Sequence, residues 1–123
     1  MIVVAMRALE ESVEVQKQAC RAFRHLALVE EYKGFIAVSG GIAALLAAME
    51  VHQSNAGMQV LALGVLLSLS SVPRNRGNFL ANDAVRIIKL AMSNHADKTI
   101  QKNGAELLIA IGDGGDDGDD EAE

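Results

Sequence analysis

Apolar residues in this chain recur three and four positions apart over long stretches, the spacing of one helix face, and hardly anywhere alternate as a half-buried strand would. Three stretches are long: Ala19-Cys20-x-Ala22-Phe23-x-x-Leu26, Ala62-Leu63-x-Val65-Leu66-x-x-Leu69, and Gly104-Ala105-x-Leu107-Leu108-x-x-Ile111. Shorter apolar segments lie around residues 2–10, 30–39, 42–50, 74–82 and 84–93. Pro73 is the only proline among many alanines and leucines, so little interrupts these runs and the pattern predicts an all-α chain.

The segments repeat. Ala5-Met6, Ala48-Met49 and Ala91-Met92 recur at steps of 43. Val15-Gln16, Met58-Gln59 and Ile100-Gln101 follow at steps of 43 and then 42, so one residue is lost between His95 and Gln101. The segments 30–39 and 74–82 align through Gly34 and Gly77, and Gly40-Gly41-Ile42 aligns with Asp83-Ala84-Val85. Each unit therefore reads as a short, a medium and a long helix in about 42 residues, longer than a two-helix repeat of about 34. Gly40-Gly41 supplies the permissive backbone for a sharp turn, while Ser54-Asn55 and Asn94 with Asp97 stand where the long helices need N-caps. The expected organisation is a partial repeat over residues 1–28, a repeat over 29–71 and another over 72–112, about two and two-thirds units of an alpha-alpha superhelix.

Charge marks off the end of the chain. The net charge is −5, yet seven of the sixteen acidic residues lie in 113–123, which leaves residues 1–112 with nine acidic against eleven basic residues, a net +2. The tail holds no large apolar side chain and is expected to be disordered. Its Asp113-x-Gly115-x-Asp117-Gly118 resembles the start of a calcium loop, but position three is glycine and position twelve would lie past Glu123. Folding back across Lys17, Arg21 and Arg24 is the other role open to it. The single cysteine, Cys20, cannot form an internal disulfide, and no segment has the length of a signal peptide core or a membrane span. A reducing, cytoplasmic setting is expected, with the nucleus also open.

The string Val15-Gln16-Lys17-Gln18-Ala19-Cys20-Arg21-Ala22-Phe23-Arg24-His25-Leu26-Ala27, with Gly40-Gly41-Ile42-x-x-Leu45-Leu46, resembles the armadillo repeat family over about residues 1–112. The Ala-Met-x-x-His ending looks like armadillo regions of leucine-rich repeat kinases and of armadillo-only proteins; the HEAT repeat is the close structural competitor. The resemblance implies a solenoid whose third helices line a concave groove for an extended peptide or a partner surface. The tryptophan positions of nuclear-import adaptors correspond here to Arg21, Gly64 and Glu106, and their asparagine positions to His25, Ser68 and Ala110. With neither ladder present, recognition of nuclear localisation signals is not supported. The candidate partner-binding residues are Lys17, Arg21, Arg24, His25, Val60, Gly64, Leu67, Ser68, Lys102 and Glu106, a groove basic at one end and apolar in the middle.

Catalysis, metal binding and cofactors are not expected. His52 and His95 are equivalent residues 43 apart and read as C-terminal caps facing free carbonyls, with Leu9 in their place in the first unit. Cys20 aligns with Leu63 and Ala105 and reads as a small core residue; Met6, Met49 and Met92 read as core fillers. Phosphate loops, paired catalytic carboxylates, zinc spacings and a nucleic-acid surface are missing, and Arg74, Arg76, Arg86 and Lys89 form at most a small basic cluster. The expected function is a non-catalytic protein-binding scaffold. The alternative is a structural or self-assembling segment of a larger repeat protein, such as the regulatory arm of a kinase. Apolar Ile2, Val3, Val4 and Met6 at an uncapped N-terminal edge would also allow two chains to pair.

Overall fold

The computed structural model describes residues 2–112; the acidic tail and its expected disorder lie outside the described residues. Those described are all-helical, with no strand. Two helices come first, α1 (Ile2–Ala8) and α2 (Val13–Leu26), followed by α3 (Glu30–Val38), α4 (Gly41–Val51) and α5 (Ala56–Leu69). A 3-10 turn, Pro73–Asn75, then leads into α6 (Arg76–Ala81), α7 (Ala84–Asn94) and α8 (Lys98–Ala110). The expected medium helix at the start thus ends at Ala8, and the first long helix ends at Leu26.

Each long helix starts where a side chain can satisfy its free amides. Ser12 Oγ accepts from Val15 N at 3.2 Å, Asn55 Oδ1 from Met58 N at 2.9 Å, and Asp97 Oδ1 from Thr99 N and Ile100 N at 2.8 and 3.1 Å. These three residues are equivalent in the repeat. Asn94, expected beside Asp97 as a cap, is instead the last residue of α7. The turn between the short and medium helices needs one residue in the left-handed region: Gly40 has φ 92° and the equivalent Asp83 has φ 63°. Asp tolerates that conformation better than most side chains, which lets the second copy of the turn dispense with glycine. Gly41 is bound to its place by packing, because a Cβ there would lie 2.5 Å from Ile36 Cγ2 and 2.8 Å from the Ile36 carbonyl oxygen. Across this turn α3 and α4 are bent by 69°.

Packing follows the repeat. The long helices lie side by side, α2 on α5 and α5 on α8, and the medium helices pack in parallel order, α1 on α4 and α4 on α7. The core between them is aliphatic, with Ile42, Leu45, Met58, Ala62, Leu63, Leu66, Leu69, Ile88, Ile100 and Leu107 fully enclosed, as is Phe79. Helix α5 is covered by α2, α8, α4 and α3, and so buries residues on most of its circumference. In the last unit α8 packs on α7 across a connection one residue shorter. Gly104 stands there where the other units have Ala19 and Ala62, because a Cβ would meet Met92 Cγ and Sδ at 2.7 Å.

Candidate functional site

The repeated glutamines build the frame that holds any surface in place. Gln16 Nε2 donates to the carbonyls of Met6 and Leu9 at 3.1 and 2.9 Å, and Gln59 Nε2 donates to Met49 and His52 at 3.1 and 2.9 Å. Gln101 Nε2 does the same to Met92 and His95 at 2.6 and 2.7 Å, its shorter bonds matching the shorter connection. One amide thus closes the carbonyl end of each medium helix and ties it to the long helix that follows. A second bond crosses between units. His52 Nε2 lies 2.9 Å from the Glu10 carbonyl and His95 Nε2 lies 2.7 Å from the Gln53 carbonyl, equivalent acceptors one unit back. A carbonyl can only accept, so Nε2 carries the proton in both rings. The histidines are the C-cap residues of α4 and α7, as expected, and the carbonyls their rings meet belong to the neighbouring unit, because the glutamines already hold those at their own helix ends.

On this frame the long helices shape a recess of about 420 Å³ lined by Arg24, Ala27 and Leu28 from α2 and the residues after it, Val60, Leu61, Gly64, Val65 and Ser68 of α5, and Asn103 of α8. Four of the expected groove residues, Arg24, Val60, Gly64 and Ser68, come together there. The others do not line it. Lys17 lies against the start of α5, where a Cβ on Gly57 would be 3.2 Å from its Nζ. Arg21 is exposed on α2, and His25 Nδ1 sits 3.0 Å from the Arg21 carbonyl one turn back in its own helix. Lys102 and Glu106 pair with each other at 3.5 Å on the surface. Leu67 is half-buried and packed on the core, as is Val60, so the expected free apolar strip is partly closed.

Of the expected α5 residues, Leu67 alone lies off the ridge that lines the recess. The stripe Val60, Gly64, Leu67 follows the three-and-four pattern of a buried face, whereas the recess follows the i, i+4, i+8 ridge Val60, Gly64, Ser68, with Leu61 and Val65 beside it. Leu28, Ala27 and Asn103 were missed. Leu28 lies beyond the end of α2, where it is 80 % exposed.

Nothing in the surroundings of Cys20 favours chemistry. It is fully buried, and burial pushes its thiol up from 9.0 to about 12, with the nearby Arg21 charge opposing only part of that shift. The folded chain should therefore react with a disulfide reagent at pH 8 far more slowly than the urea-unfolded chain, on the order of a hundredfold. Above pH 9 the unfolded chain releases this proton while the folded chain keeps it, so stability falls from about pH 9 toward about 12. Cys20→Ala removes that part of the slope, as urea titrations at pH 7 and pH 10 would read out. Equal thiol reactivity in the folded and unfolded chains would contradict the enclosure of Cys20.

Among the described residues no three His, Cys, Asp or Glu side chains are grouped to hold a metal ion, and no single helix is long and apolar enough to cross a membrane. Comparison of the chain with protein-family models, with curated proteins and with solved structures finds no match.

Proposed function

We propose that the chain is a stretch of armadillo-type helical solenoid that acts as a non-catalytic scaffold, holding a peptide or protein segment in the recess between α2, α5 and α8. The observation that carries this reading is the recurrence, unit after unit, of one set of bonds: the glutamine lock in all three units and the histidine bridge wherever the histidine is present. Bonds that recur at a constant step repeat one supersecondary unit beside the next, and stacked units of that kind leave an extended surface on one side. The recess on that side offers an arginine, two hydrogen-bonding side chains and an apolar floor. That mixture suits an extended segment with one acidic and one or two apolar residues. A cytoplasmic or nuclear setting fits a scaffold whose one thiol is enclosed.

Gly64 gives a clean test. It is exposed, and no atom outside its own helix lies within 4 Å of an added Cβ, so Gly64→Arg fills the recess and also removes a helix-interior glycine. Peptides selected from a random display library on the wild-type chain should bind the Gly64→Arg chain about tenfold or more weakly, with no loss of thermal stability. Selection of no peptide above background, or equal binding by both chains, would count against the scaffold reading. Leu67→Glu is a poorer probe because Leu67 also packs on the core.

The second reading, a self-assembling segment, is favoured by the apolar side of α1 and α2. Ile2, Ala5, Val15, Ala19 and Ala22 line a shallow depression there. Their equivalents Leu45, Ala48, Met58, Ala62 and Val65 are all buried one unit on. A monomer in light scattering at high protein concentration would remove this alternative.

A further inference from the structure

We propose that the acidic segment 113–123 folds back over Lys17, Arg21 and Arg24 and competes there with any ligand of the α2, α5 and α8 recess. This regulation rests on the reading of the recess as a peptide seat.

Lys17, Arg21 and Arg24 stand four and three positions apart, so they share one side of α2. Arg21 and Arg24 are exposed, and among the described residues none of the three has a carboxylate within ion-pair distance. Elsewhere on the surface cations do find partners: Lys33 pairs with Glu30, Arg86 with Glu50 and Asp83, and Lys102 with Glu106. Three like charges held side by side repel one another, and an anion laid along them relieves that repulsion. Residues 1–112 carry a net +2 and residues 113–123 carry seven acids, so the same chain supplies the anion.

The end of α8 sets where that segment starts. Arg76 Nε donates to the Ile111 carbonyl at 2.8 Å, and Gly112 takes φ 99°, which turns the chain off the axis of α8. Arg24 and Asn103 line one recess from its two sides, and Asn103 lies eight residues before Ile111, about 12 Å along the helix. From α8 to α2 is two helix spacings, about 20 Å. Eleven extended residues span about 36 Å, enough to cross α5 and run along Arg24 and Arg21 toward Lys17. With Ala122 as its only apolar side chain, the segment has little but charge to bind with. Its contact is therefore sensitive to salt, and weak enough for a ligand that also carries apolar residues to displace.

Paramagnetic broadening in nitrogen-15-labelled full-length protein tests this. A nitroxide spin label on Ala122→Cys keeps all seven acids, and Cys20 is enclosed and does not take the label. At low salt the amide signals of Gly64, Ser68 and Asn103 should lose most of their intensity. They should recover in about 0.5 M sodium chloride, where charges are screened beyond about 4 Å. The double substitution Arg21→Gln with Arg24→Gln, both at exposed positions, should restore them at low salt. Broadening confined to residues beside Ile111, or unchanged by the double substitution, overturns the proposal. So does broadening of nitrogen-15 chains without the spin label when mixed with spin-labelled ones, which assigns the segment to a second copy. None of these readings needs a ligand, so they stand apart from the Gly64→Arg result. Replacing the seven acids by Asn and Gln should then strengthen binding of the display-selected peptides about threefold or more at low salt. Equal binding by the two chains overturns the competition.

Discussion

Replacing Gln59 by methionine should lower the unfolding free energy by about 1–3 kcal/mol and the melting temperature by roughly 4–12 °C. Gln59 is 1 % exposed, and its amide is a shared donor for the Met49 and His52 carbonyls at the end of α4. Methionine is close to it in length and volume, so no cavity opens and the loss is that of the bonds. The Met49 carbonyl is then left in the core without this donor, at a cost of about 1–3 kcal/mol, while the His52 carbonyl keeps its bond from Asn55 N at 3.0 Å. Gln101 makes the same two bonds from a half-buried site, so Gln101→Met should cost less, because water can reach the freed carbonyls. Urea unfolding followed by circular dichroism measures both. A loss under about 1 kcal/mol at Gln59 would mean that the lock adds nothing beyond the packing around it.

Leu66→Ala should be at least as damaging, at about 2–5 kcal/mol. Leu66 is 0 % exposed on α5, the helix with neighbours on most sides, so the space left by its missing carbons has few ways to close. The contrast is Leu28→Ala. That residue is 80 % exposed, and its removal should change stability by less than about 0.5 kcal/mol while widening the α2, α5 and α8 recess. The same urea titration applied to both variants tests the packing directly. Similar small losses at the two positions would show that α5 is not the centre of the core.

The helices were legible because apolar periodicity is a local signal, and the repeat made it redundant: what was ambiguous in one unit was repeated in another. Asn55 and Asp97 could be named as caps since a cap acts within three residues of its own position. The role of the glutamines was not legible in that way. A glutamine on an amphipathic helix ordinarily points to water, and only the fold brings Gln16 back to carbonyls ten and seven residues earlier. The histidine bridges were hidden for the same reason, as their acceptors lie 42 residues away. The recess draws on both kinds of information. Its helices follow from the repeat, but which side of each helix faces the recess depends on how α5 rotates against α2 and α8, and a sequence pattern alone leaves that angle open.

Side-by-side packing of counterparts also bears on how the chain reaches this structure. The main helix contacts join elements next to each other in the chain or counterparts a single unit apart. No large loop has to be closed before a stabilising contact is gained, so the entropic barrier is small. Such topologies lie at the fast end of the kinetic range, where folding takes about microseconds to milliseconds. Newly made units can therefore consolidate in the order in which they are synthesised, each on the surface of the one before.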